Sequence, residues 1–471
     1  MKWGQIAAIA RRWWSRMIPY KSIARAERIQ TPLAPEMMSA LALWYDLYRD
    51  RAPWKEPGRV KSLNLAALAA SEIARQVALE LEWDIRPAGK GGADDGARTT
   101  RADYLKAEFT RLMDALRPKL EVGCAAGGMI VKPCPNPEDG RIRFDWAMDW
   151  SVYPLAFDDD GNLSDVIIPD VYREGNVIYT RLERHTLGPE GVTITQRAFR
   201  STAEDSLGSE IPLASVPRWA ALAPEAVVTG AEGMLFGWFR VASANAVDAD
   251  CPMGASVYAK GVHVLREIDM QYSRLLWEFE GGELAVDVDP TALYEKSDGQ
   301  GRRLPKLNER LFRAVDTGAE STYAVFAPTL RDVSLVNGLN QLLIRFEDLV
   351  GLSRGTFSDA NVDARTATEL KIVRQRSYAT VADNQKALEK CLRDVLRAMD
   401  KYATIYHLAP EGAWEATFAW DDSILTDADQ QLQERLLLLN AGVIGKAELR
   451  QWYLGESGPQ AAAALRAMRE E

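Results

Sequence analysis

"SVYAKGVHVLREIDMQYSRLLWEFEGG", residues 256–282, is the stretch from which the rest of the chain can be laid out. Val257, Gly261, Val264, Ile268, Tyr272, Leu275 and Phe279 recur in steps of four and three. That spacing predicts a helix with one narrow apolar stripe, suited to packing on a second helix. Gly281-Gly282 stops it. A matching stripe, Val333, Val336, Leu339, Leu343, Phe346 and Val350, predicts a partner helix from Arg331 to Leu352. Between the two, residues 283–330 read as a small lobe, with strand-like "ELAVDV" and "STYAVFA" around a short helix at "LNERLFRAVD". A chain that leaves on one helix and returns on another describes a stalk with a tip. It does not describe a βαβ enzyme sheet.

Beyond the second helix comes "GLSRGTFSDANVDARTATEL", residues 351–370, rich in Gly, Ser, Asp and Asn. It reads as a flexible polar break whose far end is a capping box, Thr366 with Glu369. A helix then runs from Thr366 to about Tyr406, on the order of 60 Å at 1.5 Å per residue. Ser377, Thr380 and Asn384 weaken its middle, where a kink is expected. Residues 414–424 read as a strand, and 426–471 as short helices split at Gly442, Gly445 and Gly458-Pro459.

Upstream, residues 36–120 read as mainly helical, with Leu65, Leu68, Ile73, Val77 and Leu81 on one helix face and a loop at 86–100. From about 121 to 240 the pattern turns to β-branched and aromatic runs broken by Gly-Asn, Asp-Gly and Glu-Gly turns, which predicts a mixed or antiparallel sheet. The N-terminal segment carries Lys2, Arg11, Arg12 and Arg16 beside Trp3, Trp13 and Trp14. It reads as an arm packing on the body or on a neighbouring subunit, with a membrane-surface helix as the lesser reading.

The chain has 471 residues, 47% of them hydrophobic and 26% charged, enough for large cores. No run of about 18 apolar residues is present, so no membrane span is expected. A net charge of -10 argues against a conventional DNA clamp, which neutralises phosphates with Lys and Arg. Four scattered cysteines and three histidines assemble no metal constellation, and no cofactor is implied.

Candidate chemistry fails on spacing. "GKGG" at 89–92 lacks the phosphate-loop pattern. "FDDDGNLSD" at 157–165 has Ala156 where a calcium loop needs its first Asp, so a hairpin turn at Asp160-Gly161 is expected. Asp421 and Asp422 are neighbours on a strand and point to opposite faces, which makes a poor acid–base pair for a nuclease. No catalytic residue is assigned. One charge feature stands out: Lys296, Arg302, Arg303, Lys306, Arg310 and Arg313 face only Asp298 and Glu309 at the tip of the presumed stalk. It is either a docking surface or a solvated one.

The layout and several strings resemble the portal proteins of tailed bacteriophages, in the siphophage branch whose members are also called minor capsid or minor structural proteins. The strings include "VYPLAFDDDGNLSDV", "ANAVDADCPMGASVYAKGVHVLREIDMQYSRLLWE", "APTLRDVSLVNGLNQLLIRFEDLVGLSRGTFS", "ARTATEL" and "FAWDDSILTDADQQLQERLLLLNAGVIGKAELRQWYLGE". The resemblance implies an α+β portal-like subunit with a wing, a two-helix stem, a clip lobe, a tunnel loop, a long helix and a short helical crown. Mapped onto this chain, the arm and wing are 1–255, the stem helices 256–282 and 331–351, and the clip 283–330. The tunnel loop is 352–365, the long wing helix 366–408, a wing strand 409–425 and the crown 426–471.

It further implies a homo-oligomeric ring, typically of twelve, at one capsid vertex of the virion, assembled in the bacterial host cytoplasm. Double-stranded DNA would pass through the channel during packaging and ejection. The large terminase and then the head–tail adaptor would dock on the clip, with major capsid and scaffold proteins alongside and no membrane. Roughly twelve chains would carry on the order of -120 charges, a lining that gives phosphates no sticky stop. Glu267, Asp269, Glu278, Asp332, Glu347 and Asp348 are the candidate channel carboxylates, or else inter-subunit ion-pair partners. Arg354, Gly355, Thr356, Phe357, Ser358, Asp359, Asn361, Asp363 and Arg365 are the candidate DNA-facing loop residues, with Arg354 and Arg365 open to DNA or to a neighbouring subunit. The alternative from a different class is a non-enzymatic monomeric adaptor that recruits an acidic partner through 296–313.

Overall fold

A computed structural model describes Ile23 and residues 31–454 apart from 90–94, 137, 204–205, 289–310, 315–322, 360–366 and 421–434, with 458, 460 and 464–466 beyond. Helices α1 (Pro35–Tyr48) and α2 (Leu65–Ala78) open the chain. Residues 81–85, expected to continue the second helix, and 86–87, expected in the following loop, instead form strand β1 (Leu81–Pro87). Leu81 to Pro87 pair residue by residue, antiparallel, with Trp420 to Trp414. Trp83 stands edge-on to Phe109 at 4.9 Å, so aromatic packing and a sheet partner outweigh the local helical pattern. Leu68, placed on the apolar face by spacing, is 49% exposed.

Helix α3 (Asp95–Ala126) begins inside the expected 86–100 loop and continues past Gly123, into the region expected to be strand. Ala102, Leu105, Phe109, Leu112, Leu116 and Leu120 are buried along it at steps of three and four. Strands β2 (Gly128–Asn136), β3 (Arg141–Met148), β4 (Tyr153–Phe157), β5 (Leu163–Glu174), β6 (Val177–Gly188), β7 (Gly191–Ser201), β8 (Ser209–Ile211), β9 (Glu225–Thr229) and β10 (Gly237–Arg240) then follow. One sheet runs β10-β2-β3, and a larger antiparallel one runs β4-β5-β6-β7-β8 with β9 on β7. The expected turn at Asp160-Gly161 joins β4 to β5: Asp158 accepts from Asn162 N at 2.7 Å and from Asn162 Nδ2 at 3.1 Å.

Helix α4 (Val262–Gly281) starts six residues later than expected, after a 3-10 turn at Ala259–Gly261. Tyr258 is fully buried there, its hydroxyl donating to Trp44 O at 2.7 Å. In the lobe, β11 (Ala285–Val288) lies between β12 (Phe312–Ala314) and β13 (Tyr323–Phe326). Strand β12 falls within the expected helix 307–316, because Val286 to Val288 offer it a parallel ladder. Helix α5 (Asp332–Val350) returns the chain and ends at Gly351, whose φ of +79° suits a residue without a Cβ.

Helix α6 (Ala367–Ile405) runs as one continuous helix through Ser377, Thr380 and Asn384. Two of these polar residues bond to segments outside the helix. Ser377 Oγ donates to Gln76 Oε1 at 3.0 Å, and Asn384 Oδ1 accepts from Ala242 N at 3.1 Å. Leu388, Cys391, Leu392, Val395, Leu396 and Met399 are fully buried on one side of α6. Each such side chain contributes about 1.5–3 kcal/mol. A Cβ at Gly237 would lie 2.2 Å from Cys391 O, so β10 can approach α6 this closely only through a glycine. Strand β14 (Trp414–Trp420) closes the ladder with β1, and helix α7 (Lys446–Leu454) follows a helical segment at 435–440.

Asp149, just past the end of β3, reaches across its sheet to β10. Its carboxyl is fully buried, and Trp238 Nε1 donates to Oδ1 at 3.0 Å. Burial pushes it up to about 7, partly offset by that hydrogen bond. The raised value means the folded protein favours the neutral acid. That stabilisation is full below the unfolded carboxyl range and is lost as pH rises through about 7, a total of at most about 4 kcal/mol. Asp149→Asn, which keeps an acceptor and cannot ionise, is therefore expected to gain thermal stability over the parent at pH 8 and little at pH 5, read by melting curves at both.

Candidate functional site

The pair α4–α5 and the loop after it form the candidate site. At their inner end a Cβ on Gly261 would lie 2.8 Å from the Phe346 ring, so the glycine in the stripe is the seat of that ring. At the outer end a Cβ on Gly282 would lie 2.2 Å from Leu330 Cδ2. Glu278 there accepts from Arg331 N at 2.9 Å, Nε at 3.1 Å and NH2 at 2.6 Å. These bonds from Arg331 hold the Glu278 carboxyl at about 2. The two helices are thus clamped where the lobe begins and ends.

Along the stripe, Val264 and Ile268 are buried, but Phe279 is 45% exposed. Trp277 at 70%, Val333 at 68% and Val336 at 46% lie open as well. These large apolar side chains stand exposed on the outer half of the helix pair, Trp277 and Phe279 on different sides of α4, and Leu284 and Val325 are exposed on the lobe.

The loop is less free than its composition suggests. Glu347 is fully buried and accepts from Gly355 N at 3.2 Å, from Phe357 N, from Ser358 N at 2.7 Å and from Ser358 Oγ at 2.7 Å. Arg354 bonds Asp348 through NH2 at 2.9 Å and Nε at 3.2 Å. Asn340 and Asp359 exchange bonds, Asp359 N to Asn340 Oδ1 at 2.7 Å and Asn340 Nδ2 to Asp359 O at 3.1 Å. Residues 352–359 are therefore fastened to α5, which corrects the reading of this part as a flexible break. Arg354, Gly355 and Asp359 are exposed, and Thr356 is half-buried. Ser358, expected to face DNA, is buried under Glu347, and Phe357 leans on Phe346 at 6.3 Å. Asn361, Asp363, Arg365 and the capping-box residue Thr366 lie outside the described residues.

The six carboxylates separate by environment. Glu347 and Asp269 are buried, so neither lines a bore; both expectations are corrected. Asp269 accepts from Trp54 Nε1 at 2.8 Å and Leu63 N at 3.0 Å, pinning the 54–63 segment to α4. Glu278 and Asp348 are engaged by Arg331 and Arg354 within the same chain. Asp332 sits in the first turn of α5, where a carboxylate complements the helix N-terminus. Glu267 is exposed, with Arg266 NH1 at 3.5 Å. Sequence spacing places residues on a helix; it does not distinguish an acid that faces out from one that a loop folds over. Gly, Ser and Thr shortly after a helix-terminal Glu were the one signal available for Glu347.

Of the basic cluster, Lys296, Arg302, Arg303, Lys306 and Arg310 lie outside the described residues, as do Asp421 and Asp422, and Arg313 is on β12. Among the described residues no group of three His, Cys, Asp or Glu is placed to hold a metal ion. No described helix is long and apolar enough to cross a membrane.

The contrast between buried and exposed acids is measurable. Asp269→Asn turns an amide N–H toward a donor and is expected to cost about 2 kcal/mol of stability. Glu267→Gln is expected to stay within about 0.5 kcal/mol of the parent. Denaturant melts of the two variants check the pair; equal costs would contradict the placement.

No curated protein matches the chain. Among solved structures it is similar to a chain described as "Neck of native GTA particle computed with C12 symmetry", at 12% identity, covering 91% of this chain and 96% of that one, with a TM-score of 0.37. The family described as "Phage portal protein, SPP1 Gp6-like" matches residues 119–471, three quarters of the sequence and all of the helix pair, lobe, loop and long helix, and the chain belongs to that family.

Proposed function

We propose that this portal protein forms a closed ring of about twelve copies at a capsid vertex and conducts double-stranded DNA during packaging and ejection. Helices α4 and α5 are the stem, and the lobe between them is the clip that receives the large terminase and later the head–tail adaptor. The loop at 352–365 faces the channel, the sheets with α6 form the wing, and 426–471 form a short crown. Assembly takes place in the bacterial host cytoplasm, alongside major capsid and scaffold proteins.

Family membership carries the portal role, and the exposed apolar side chains on both α4 and α5 support the ring. Trp277, Phe279, Val333 and Val336 leave in water a surface of the kind that subunit contacts cover. The acidic balance of the chain suits a channel that must not hold the DNA it passes. Glu267 and Asp332, neither buried nor engaged in a close ion pair like that of Glu278, are the carboxylates best placed to contribute, and Arg354 and Asp359 are the exposed loop side chains nearest them in role. On the lobe, Arg313 is the described member of the basic docking cluster.

Native mass spectrometry and electron microscopy of the purified protein are expected to show closed rings with a central hole wide enough for duplex DNA. A chain that stays monomeric at all concentrations and with scaffold present contradicts the reading. Trp277→Ser combined with Val333→Ser is expected to weaken assembly at least tenfold while leaving the melting curve of the subunit unchanged, since both side chains are exposed in it.

A further inference from the structure

We propose that Glu347 is a positioning residue for the DNA-facing loop, fixing the loop base to α5 so that the exposed side chains are presented at one height in the channel. The inference rests on the ring-channel reading above. Four donors converge on this one side chain, three backbone N–H groups and one hydroxyl, and both carboxylate oxygens are used. Ser358 Oγ extends the arrangement by accepting from Gly355 N at 3.0 Å while donating to Glu347. A carboxylate is an acceptor on both oxygens, and bonds from neutral donors to a charged acceptor are the stronger kind.

Two further ties make the fastening specific to the loop base. Arg354 and Asp348 close one side, and Asn340 with Asp359 closes the other, two turns earlier on α5. Every one of these anchors sits on α5. Residues 352–359 therefore move with that helix, and the loop base is a bracket on the stem. Removing the charge at 347 leaves a buried amide facing donors, which loosens the bracket without touching the exposed apolar side chains on the outer half of the helices.

The test uses the full-length protein. In Glu347→Gln, hydrogen exchange at the amides of Gly355, Phe357 and Ser358 is expected to accelerate at least tenfold, while amides of α3 and α6 keep parental rates. Rings are expected to form as in the parent, and phage carrying the variant to assemble heads with packaged DNA reduced at least fivefold. Glu347→Asp, which keeps the carboxylate on a shorter stem, is expected to restore part of both readouts. Asn340→Ala is the second variant, expected to accelerate exchange at Asp359 with the body intact even where Glu347→Gln fails to fold. Unchanged exchange at the three amides, or accelerated exchange with full packaging, overturns the inference. A parent protein that forms no ring instead overturns the channel reading, and leaves the exchange result standing on its own.

Discussion

The seat of Phe346 on Gly261 sets the geometry from which the rest of the functional region follows. With no Cβ at 261, α5 comes close enough to α4 for the ring to be fully buried. The next residue on α5 is then carried into the interior as well, and that residue is Glu347. A buried carboxylate without donors costs several kcal/mol. The chain that leaves α5 meets this demand by turning its own backbone N–H groups inward at 355, 357 and 358. The form of the loop is thus a consequence of how tightly two helices pack.

Much of this was legible in order and little in detail. Helix, lobe, helix, loop and long helix could be read because heptad-like stripes and glycine stops are local signals, as at Gly281-Gly282 and Gly351. The sheet runs between 127 and 199 were equally plain, since Val, Ile, Thr and aromatic residues alternate there between Gly-containing turns. What failed was decided by distant partners. Residues 81–87 became a strand because 414–420 lay alongside, and Phe312–Ala314 because Val286 did. Ser377 and Asn384 looked like helix weakeners, yet each bonds a segment more than 100 residues away in sequence. The candidate acids failed for the same reason: helical position was readable, but the loop and the 54–63 segment that cover Glu347 and Asp269 were not.

The charge distribution divides the α4–α5 pair into two regimes. Close to the core, carboxylates are consumed by backbone donors, as at Asp269 and Glu347, and contribute rigidity. Toward solvent they meet arginines of the same chain, as at Glu278 with Arg331 and Asp348 with Arg354, and these pairs are open to salt screening.

The neck at Gly282 and Leu330 has a consequence for how such a chain changes over time. Because a glycine lets the two ends of the lobe touch, and Arg331 clamps them through Glu278, the body presents one fixed doorway whatever hangs from it. Insertions at closely spaced, fastened ends disturb a scaffold least. The lobe is accordingly an exchangeable cassette: it can be lengthened, shortened or replaced while the helix pair and the loop behind it keep their geometry.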